Sequence, residues 1–232
     1  MIENAEFDKY AETYDAALAQ GLAATGEDKH YFARGRLRWL RAELKRRGFA
    51  ARSVLDFGCG TGTAAPHIAE ELRPERIVGV DVSAKSLEVA RRDHAGVRGA
   101  SFRVLTEYAP ASEFDLAYTN GVFHHIPRAE REGAVAYVLK SLRRGGLFAF
   151  FENNPWNPGT RYSMSRNPFD ADACMLSPTE ARRVLRAGGF ELLRTDTLFY
   201  FPRQLAFLRG LEPHLARLPL GGQYLVLCRK PA

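Results

Sequence analysis

Apolar and polar positions along this chain group into short apolar runs separated by longer segments of helical spacing. Runs of strand length occur at Val54 to Phe57, Arg76 to Val82, Ser101 to Leu105, Phe114 to Asn120 and Leu147 to Glu152. Between them, Thr63 to Leu72, Ser83 to His94 and Arg128 to Leu142 read as helices. Ahead of the first strand, Phe7 to Ala24 reads as a helix broken around Gly21 to Gly26. A second helix from Asp28 to Arg47 carries Tyr31, Phe32, Leu37, Leu40 and Leu44 at helical spacing and stops at Gly48. Strand and helix alternation of this kind implies a parallel sheet with helices on both faces. The region Asn153 to Met175 interrupts the rhythm with Pro155, Pro158 and Pro168 and is expected to be an inserted loop. A helix from Ser177 to Ala187 and strand-like runs at Phe190 to Phe201 and Gln223 to Cys228 then complete the same sheet. No internal repeat or low-complexity tract is visible.

Composition narrows this picture to a single domain with additions. The chain has 232 residues, 46% of them hydrophobic, enough for one sizeable core. Its net charge of +6 would suit an acidic partner, but only six of the 33 basic residues are lysine, a bias that general solubility explains as well. Cys59, Cys174 and Cys228 are widely spaced with no C-x-x-C pair, which points to a reducing compartment and away from a structural zinc site. Met1 to Asp8 contains no apolar leader core, and no run approaches the ~20 apolar residues that span a bilayer. A cytoplasmic protein is expected.

The stretch Val54 to Gly62 organises the rest. A strand runs directly into Gly58, Gly60 and Gly62, alternating with Cys59 and Thr61, and a helix follows. Glycine allows positive φ and leaves no Cβ in the way, so a nucleotide-like group can lie against the main chain at the electropositive end of the helix. The dinucleotide pattern G-x-G-x-x-G fails because Thr63 stands at the third glycine, and the P-loop pattern fails for want of a lysine.

Together with Asp56, this stretch resembles the [DE]-x-G-x-G-x-G motif of class I S-adenosylmethionine-dependent methyltransferases. The resemblance implies a Rossmann-like, doubly wound, seven-stranded α/β sheet with its last strand antiparallel, and S-adenosylmethionine as cofactor, released as S-adenosylhomocysteine. It divides the chain into an N-terminal helical lid (1–48), a cofactor-binding core (49–152) and a substrate-side loop, cap and last strands (153–232). The loop residues Asp56, Gly58, Cys59, Gly60 and Gly62 would carry the methionine part. Asp81, with Val82 beside it, ends the second strand about 20 residues after the glycines, where a carboxylate can accept from both ribose hydroxyls. Ser83 is the better helix cap, which leaves Asp81 for that role. Thr106 or Glu107 would meet the adenine amino group. Phe7-Asp8-x-Tyr10-Ala11-x-x-Tyr14-Asp15 looks like the lid of small-molecule members, with Tyr14 closing over the cofactor; the alternative is a helix docked by its tyrosines.

The fourth strand and its exit, Glu113 to Pro127, resemble the quinone-biosynthesis branch, where Asn120 and Gly121 pass the methionine end of the cofactor. His124 and His125 follow. Neighbouring residues are expected to point in different directions, so a shared metal is not expected, and either histidine is a candidate general base. Glu152, ending the fifth strand, is a further candidate base or acceptor anchor, or else an ion-pair partner for an arginine. Arg161 and Arg166 offer guanidinium forks for a carboxylate or phosphate. Asn120-Gly121-Val122-Phe123 lacks the proline pair that holds a flipped base amine, and no basic stripe interleaved with aromatics is present. Nucleic acid is thus the minor alternative to a small-molecule acceptor, and a non-catalytic S-adenosylmethionine-binding protein is a third. Between Leu198 and Leu220, aromatics and leucines mix with Arg203, Arg209 and Arg217. That stretch reads as a cap on the sheet, or as a surface for a membrane or a lipid-linked substrate.

Overall fold

In a computed structural model of the protein, the structure describes residue 12 and residues 14–170 and 173–232. Among these, seven strands form one sheet: β1 Ser53–Phe57, β2 Arg76–Asp81, β3 Ala100–Val104, β4 Phe114–Asn120, β5 Leu142–Asn153, β6 Glu191–Leu198 and β7 Gln223–Arg229. Their order is β3-β2-β1-β4-β5-β7-β6. Pairs from β3 through β5 are parallel, and β7 runs antiparallel between β5 and β6. The order turns back between β1 and β4, the place in an open α/β sheet where ligands collect at the carboxyl ends.

Side chains alternate across each strand and feed two separate cores. Leu55 and Phe57 of β1, Phe148 and Phe150 of β5, and Tyr224, Val226 and Cys228 of β7 face one core. That core is closed by Val135 and Val138 of a helix over Arg131–Ser141 and by Ala181 and Leu185 of a helix over Pro178–Ala187. Val54, Tyr118, Ala149, Phe151, Leu225 and Leu227 face the other way, onto Leu37, Leu40 and Leu44 of a helix over Lys29–Arg46. In chain order the longer helices are α1 Tyr14–Leu22, α2 Lys29–Arg46, α3 Ala65–Leu72, α4 Ala84–Asp93, α5 Arg131–Ser141, α6 Pro158–Ser165 and α7 Pro178–Ala187. No helix among the described residues is long and apolar enough to cross a membrane.

Caps account for several boundaries. Asp28 accepts from the Tyr31 amide at the start of α2, Ser83 from Ser86 at the start of α4, and Ser177 and Glu180 form a reciprocal capping box on α7. Elsewhere the sequence expectations need correction. The region Asn153 to Met175 is not a bare loop. It holds α6, whose N-terminus Asn157 caps with Pro158 in the first turn, and a 3-10 turn at Pro168–Asp170. Proline lacks only an amide that the first turn leaves unpaired anyway, so there it starts a helix. β5 begins at Leu142 rather than at Leu147, with an irregular register opposite Phe114 and Leu116. β6 ends at Leu198 because Phe199 takes a φ of 63°.

Phe148 is fully buried, with its ring centroid 5.8 Å from that of Phe150 and 5.5 Å from that of Phe190. Phe148→Ala should lower the free energy of unfolding by about 3–5 kcal/mol, measured by urea denaturation.

Candidate functional site

The chain leaves β1 through a tight glycine turn. Gly58, Gly60 and Gly62 all have positive φ, at 71°, 52° and 77°. A Cβ on Gly58 would come within 2.5 Å of Val122, so the loop lies directly on the segment after β4, whereas a Cβ on Gly60 would meet nothing. The Gly60 face is the open side of the cradle. Cys59 turns its side chain inward, against Gly79, and burial pushes its thiol well above the ordinary range. It can serve a ligand only through its backbone.

Asp81 holds this turn in shape. One carboxylate oxygen accepts from the Gly60 amide at 2.8 Å and the other from the Ser83 amide at 2.9 Å. The carboxylate therefore sits between the glycine loop and the start of α4. Val82, next along, is 42% exposed, an apolar surface beside that carboxylate. Thr106 and Glu107 belong to a 3-10 turn after β3 and are exposed.

Asp56 lies beneath the loop, 2% exposed, and its Oδ2 has no hydrogen-bond partner. Burial and the nearby Asp81 raise its pKa to about 7 against the pull of Arg36. Arg36, on α2, is itself 6% exposed. It donates to the Tyr118 hydroxyl at 3.0 Å and to Gln223 at 2.8 Å, both neutral. Asn120, at the end of β4, adds a second buried acceptor without a partner, its Oδ1. A buried guanidinium and two unmatched acceptors at the switch point form a zwitterion-sized polar set. The sequence pattern gave no sign of Arg36, which shares the buried face of α2 with Ala33, Leu37, Leu40, Glu43 and Leu44.

After Asn120, Gly121 turns with φ 66° and donates to the Phe151 carbonyl. The following turn brings His124 and His125 together rather than apart, with ring centroids 4.1 Å apart. That corrects the expectation of divergent side chains: both Nε2 atoms lie 3.4 Å from the same oxygen of Asp170. His124 is 3% exposed and its Nδ1 stands 2.6 Å from Glu152. Burial opposes a charge on His124, but Glu152 and Asp170 outweigh it and lift its pKa to about 10; burial and the charge on His124 push His125 down to about 4. Glu152 is 1% exposed; it accepts from the Phe123 amide at 2.7 Å and from the Asn153 amide at 3.3 Å. It does not line the cavity described next, and its carboxylate instead meets the ring of His124. Asp170 was missed because it lies in the proline-rich insertion, where spacing carries no signal.

A cavity of about 360 Å³ opens beside these residues. Asn120, Gly121, His124, His125 and Asp170 form one wall; α1, α2, α6 and the Phe199 to Pro202 turn contribute others. Arg36 and Gln223 lie at its polar end, and Arg209, paired with Glu27 at 2.9 Å, stacks over Tyr31 at its apolar side. The Leu198 to Leu220 stretch lines this cavity through Phe199 to Pro202 and Arg209, and it leaves Leu205, Phe207, Leu211, Leu218 and Leu220 exposed, Phe207 at 81%. Arg161 of α6 and Arg166 just after it are exposed and do not line the cavity. The Tyr14 side chain and the Phe7 to Ala11 phrase with Tyr10 lie outside the described residues, so the lid expectation stays an expectation.

Comparison with known proteins bears on this arrangement. Residues 55–148 match a family model described as a methyltransferase domain. The chain is 33% identical over 208 residues to a ubiquinone biosynthesis O-methyltransferase of Idiomarina loihiensis, covering 79% of this chain and 77% of that protein. It is 34% identical over 128 residues to a trans-aconitate 2-methyltransferase of Azoarcus sp., where the match spans 54% of this chain and only about half, 49%, of the relative. Among solved structures, an S-adenosylmethionine-dependent methyltransferase of Thermotoga maritima, titled a possible histamine N-methyltransferase, superposes with a TM-score of 0.65 at 19% identity, covering 97% of this chain and 98% of that one. A [4+2]-cyclase superposes with a TM-score of 0.60 at 20% identity over 84% of this chain and 81% of that one. Likenesses at that identity show the fold, and the fold alone does not choose between such activities.

Glu152→Gln should return the His124 imidazole from about 10 toward the ordinary histidine range near 6.5, read as an NMR titration of its ring resonances.

Proposed function

Because this chain belongs to the S-adenosylmethionine-dependent methyltransferases, we propose that it methylates an oxygen of a small-molecule acceptor bound in the cavity beside Asn120 and His124. The observation that carries the reading is the adjacency of two sites on one sheet edge. The glycine turn with Asp56 and Asp81 lies on one side of the β1/β4 parting, and the cavity walled by His124, His125 and Asp170 lies on the other.

The residues at the first site fit the cofactor's functional groups one for one. The Asp81 carboxylate at the end of β2 suits the two ribose hydroxyls, and exposed Val82 suits the flat adenine face. Thr106 and Glu107 stand within the same edge for the adenine amino group. The unmatched Oδ atoms of Asp56 and Asn120 suit an ammonium group, and the unpaired donors of Arg36 suit a carboxylate, the two charges of a methionine end. Gly58, Gly60 and Gly62, with the Cys59 backbone, let that end lie against the main chain. Bound S-adenosylmethionine supplies a methyl group on a sulfonium, which needs no further activation as a leaving group.

What remains for the protein is alignment and exclusion of water. The cavity walls hold the acceptor, and the histidine and Asp170 wall faces the oxygen that must lose its proton. Oxygen is favoured over nitrogen because two of the relatives named above are an O-methyltransferase and a methyltransferase of trans-aconitate by name. Exposed Phe207 and Leu211 near the cap support an acceptor whose apolar part reaches the surface, as a lipid-linked substrate would.

Two measurements test this. Asp81→Ala should weaken S-adenosylmethionine binding by about 100-fold in calorimetry while thermal unfolding stays cooperative; unchanged affinity would overturn the assignment of Asp81. Incubating the protein with methyl-labelled S-adenosylmethionine and fractionated metabolite extracts should label a small hydroxylated compound. Label recovered only in RNA would count for the nucleic-acid alternative, and tight cofactor binding with no labelled product for the non-catalytic one.

A further inference from the structure

His124, His125 and Asp170 each offer one ligand-competent atom, and these atoms all lie within 4.8 Å of one another. Nε2 of each histidine is 3.4 Å from Oδ1 of Asp170. That is longer than a good N–H···O hydrogen bond, at about 2.7–3.2 Å. It is close to the separation of two ligand atoms on a tetrahedron around a zinc-type ion, about 3.3 Å for bonds of about 2.0 Å. The far side of His124 matches as well. Its Nδ1 stands 2.6 Å from Glu152, and Glu152 is fixed by the Phe123 amide. A carboxylate accepting from the second ring nitrogen is the usual support of a metal-binding histidine, since it sets the tautomer and aims Nε2.

We propose that His124, His125 and Asp170 bind one divalent first-row cation of the zinc type in the acceptor cavity, leaving a coordination position for an oxygen of the acceptor. Two imidazoles and one carboxylate suit zinc and its first-row neighbours, whereas calcium and magnesium take sets made of oxygen. Three protein ligands with a fourth position open is the pattern of sites that work on a bound molecule. The open side faces the cavity, because all three residues line it together with Asn120 and Gly121. A hydroxyl bound to such an ion gives up its proton to water at far lower pH than a free one, which leaves an oxygen lone pair available in the cavity. This last role rests on the O-methylation proposed above; cation binding itself does not. The three ligands were not predictable together, since Asp170 reaches the histidines only through the folded insertion.

The test uses the full chain after stripping with a chelator. Calorimetric titration with Zn²⁺ should show one ion per chain at micromolar affinity or tighter. Titration with Co²⁺ should give the strong visible bands of a four- or five-coordinate ion with nitrogen and oxygen ligands. Asp170→Asn and His125→Gln should each weaken Zn²⁺ binding by at least about 100-fold, and Glu152→Gln by about 10–100-fold. S-adenosylhomocysteine binding at wild-type affinity in each variant reports that the fold is intact. Absence of stoichiometric Zn²⁺ binding, equal binding in wild type and both ligand variants, or a near-ultraviolet thiolate band from cobalt bound at a cysteine would each overturn the proposal. Such a result would leave the methyltransferase reading standing, while failure of the wild type to bind S-adenosylhomocysteine would overturn that reading whatever the ions do.

Discussion

The parting of the chain after β1 and β4 is the constraint from which the rest of the carboxyl edge follows. These neighbours are paired in parallel, Val54 to Leu116 and Asp56 to Tyr118, but their continuations turn to opposite sides. Backbone groups exposed where two strands part must find partners or water. Here they find side chains: the Gly60 and Ser83 amides bond to Asp81, the Phe123 and Asn153 amides to Glu152, and the Thr119 hydroxyl bonds to the Phe57 carbonyl. Two carboxylates, half-buried Asp81 and buried Glu152, thus anchor the loops on either side of the crevice. Glu152 also holds the imidazole of His124, which lines the cavity.

Buried charge at this edge is expensive, and its distribution separates structural use from functional use. Glu43 is similarly buried but surrounded by Arg46, Arg47 and Arg194, which hold its carboxyl below the usual range despite its burial. Asp56 and Arg36 are not treated so. Each is almost wholly buried, and neither has a close partner of opposite charge among the described residues. An unmatched buried charge costs several kcal/mol unless something completes it. A ligand carrying an ammonium and a carboxylate would complete both, which makes these two residues informative about the ligand rather than about the fold.

Local and distant signals differed sharply in what they revealed. The glycine turn was legible because a strand, its loop and the next helix lie in one continuous stretch, and each glycine answers a local backbone need. Asp81 was legible because strand ends recur at regular intervals in such a sheet. The α6 helix was hidden because Pro158 reads as a breaker unless its place in the first turn is known. Glu152 was found as a residue but not as a role, since its burial and its bond to His124 depend on how β5 sits beside β4.

By itself, then, the sequence determined the alternation of strands and helices behind the parallel sheet and the glycine turn after β1, while the antiparallel last strand was legible only through the family resemblance. The first two follow from period, glycine placement and the order of elements, which are properties of the chain as a line. Only the tertiary structure decided that Arg36 reaches the end of β4, that His124 and His125 converge, and that Asp170 closes on them from the insertion. The physical reason is that those contacts join helices and loops far apart in sequence. Their geometry is set by packing over two cores, which no local pattern encodes.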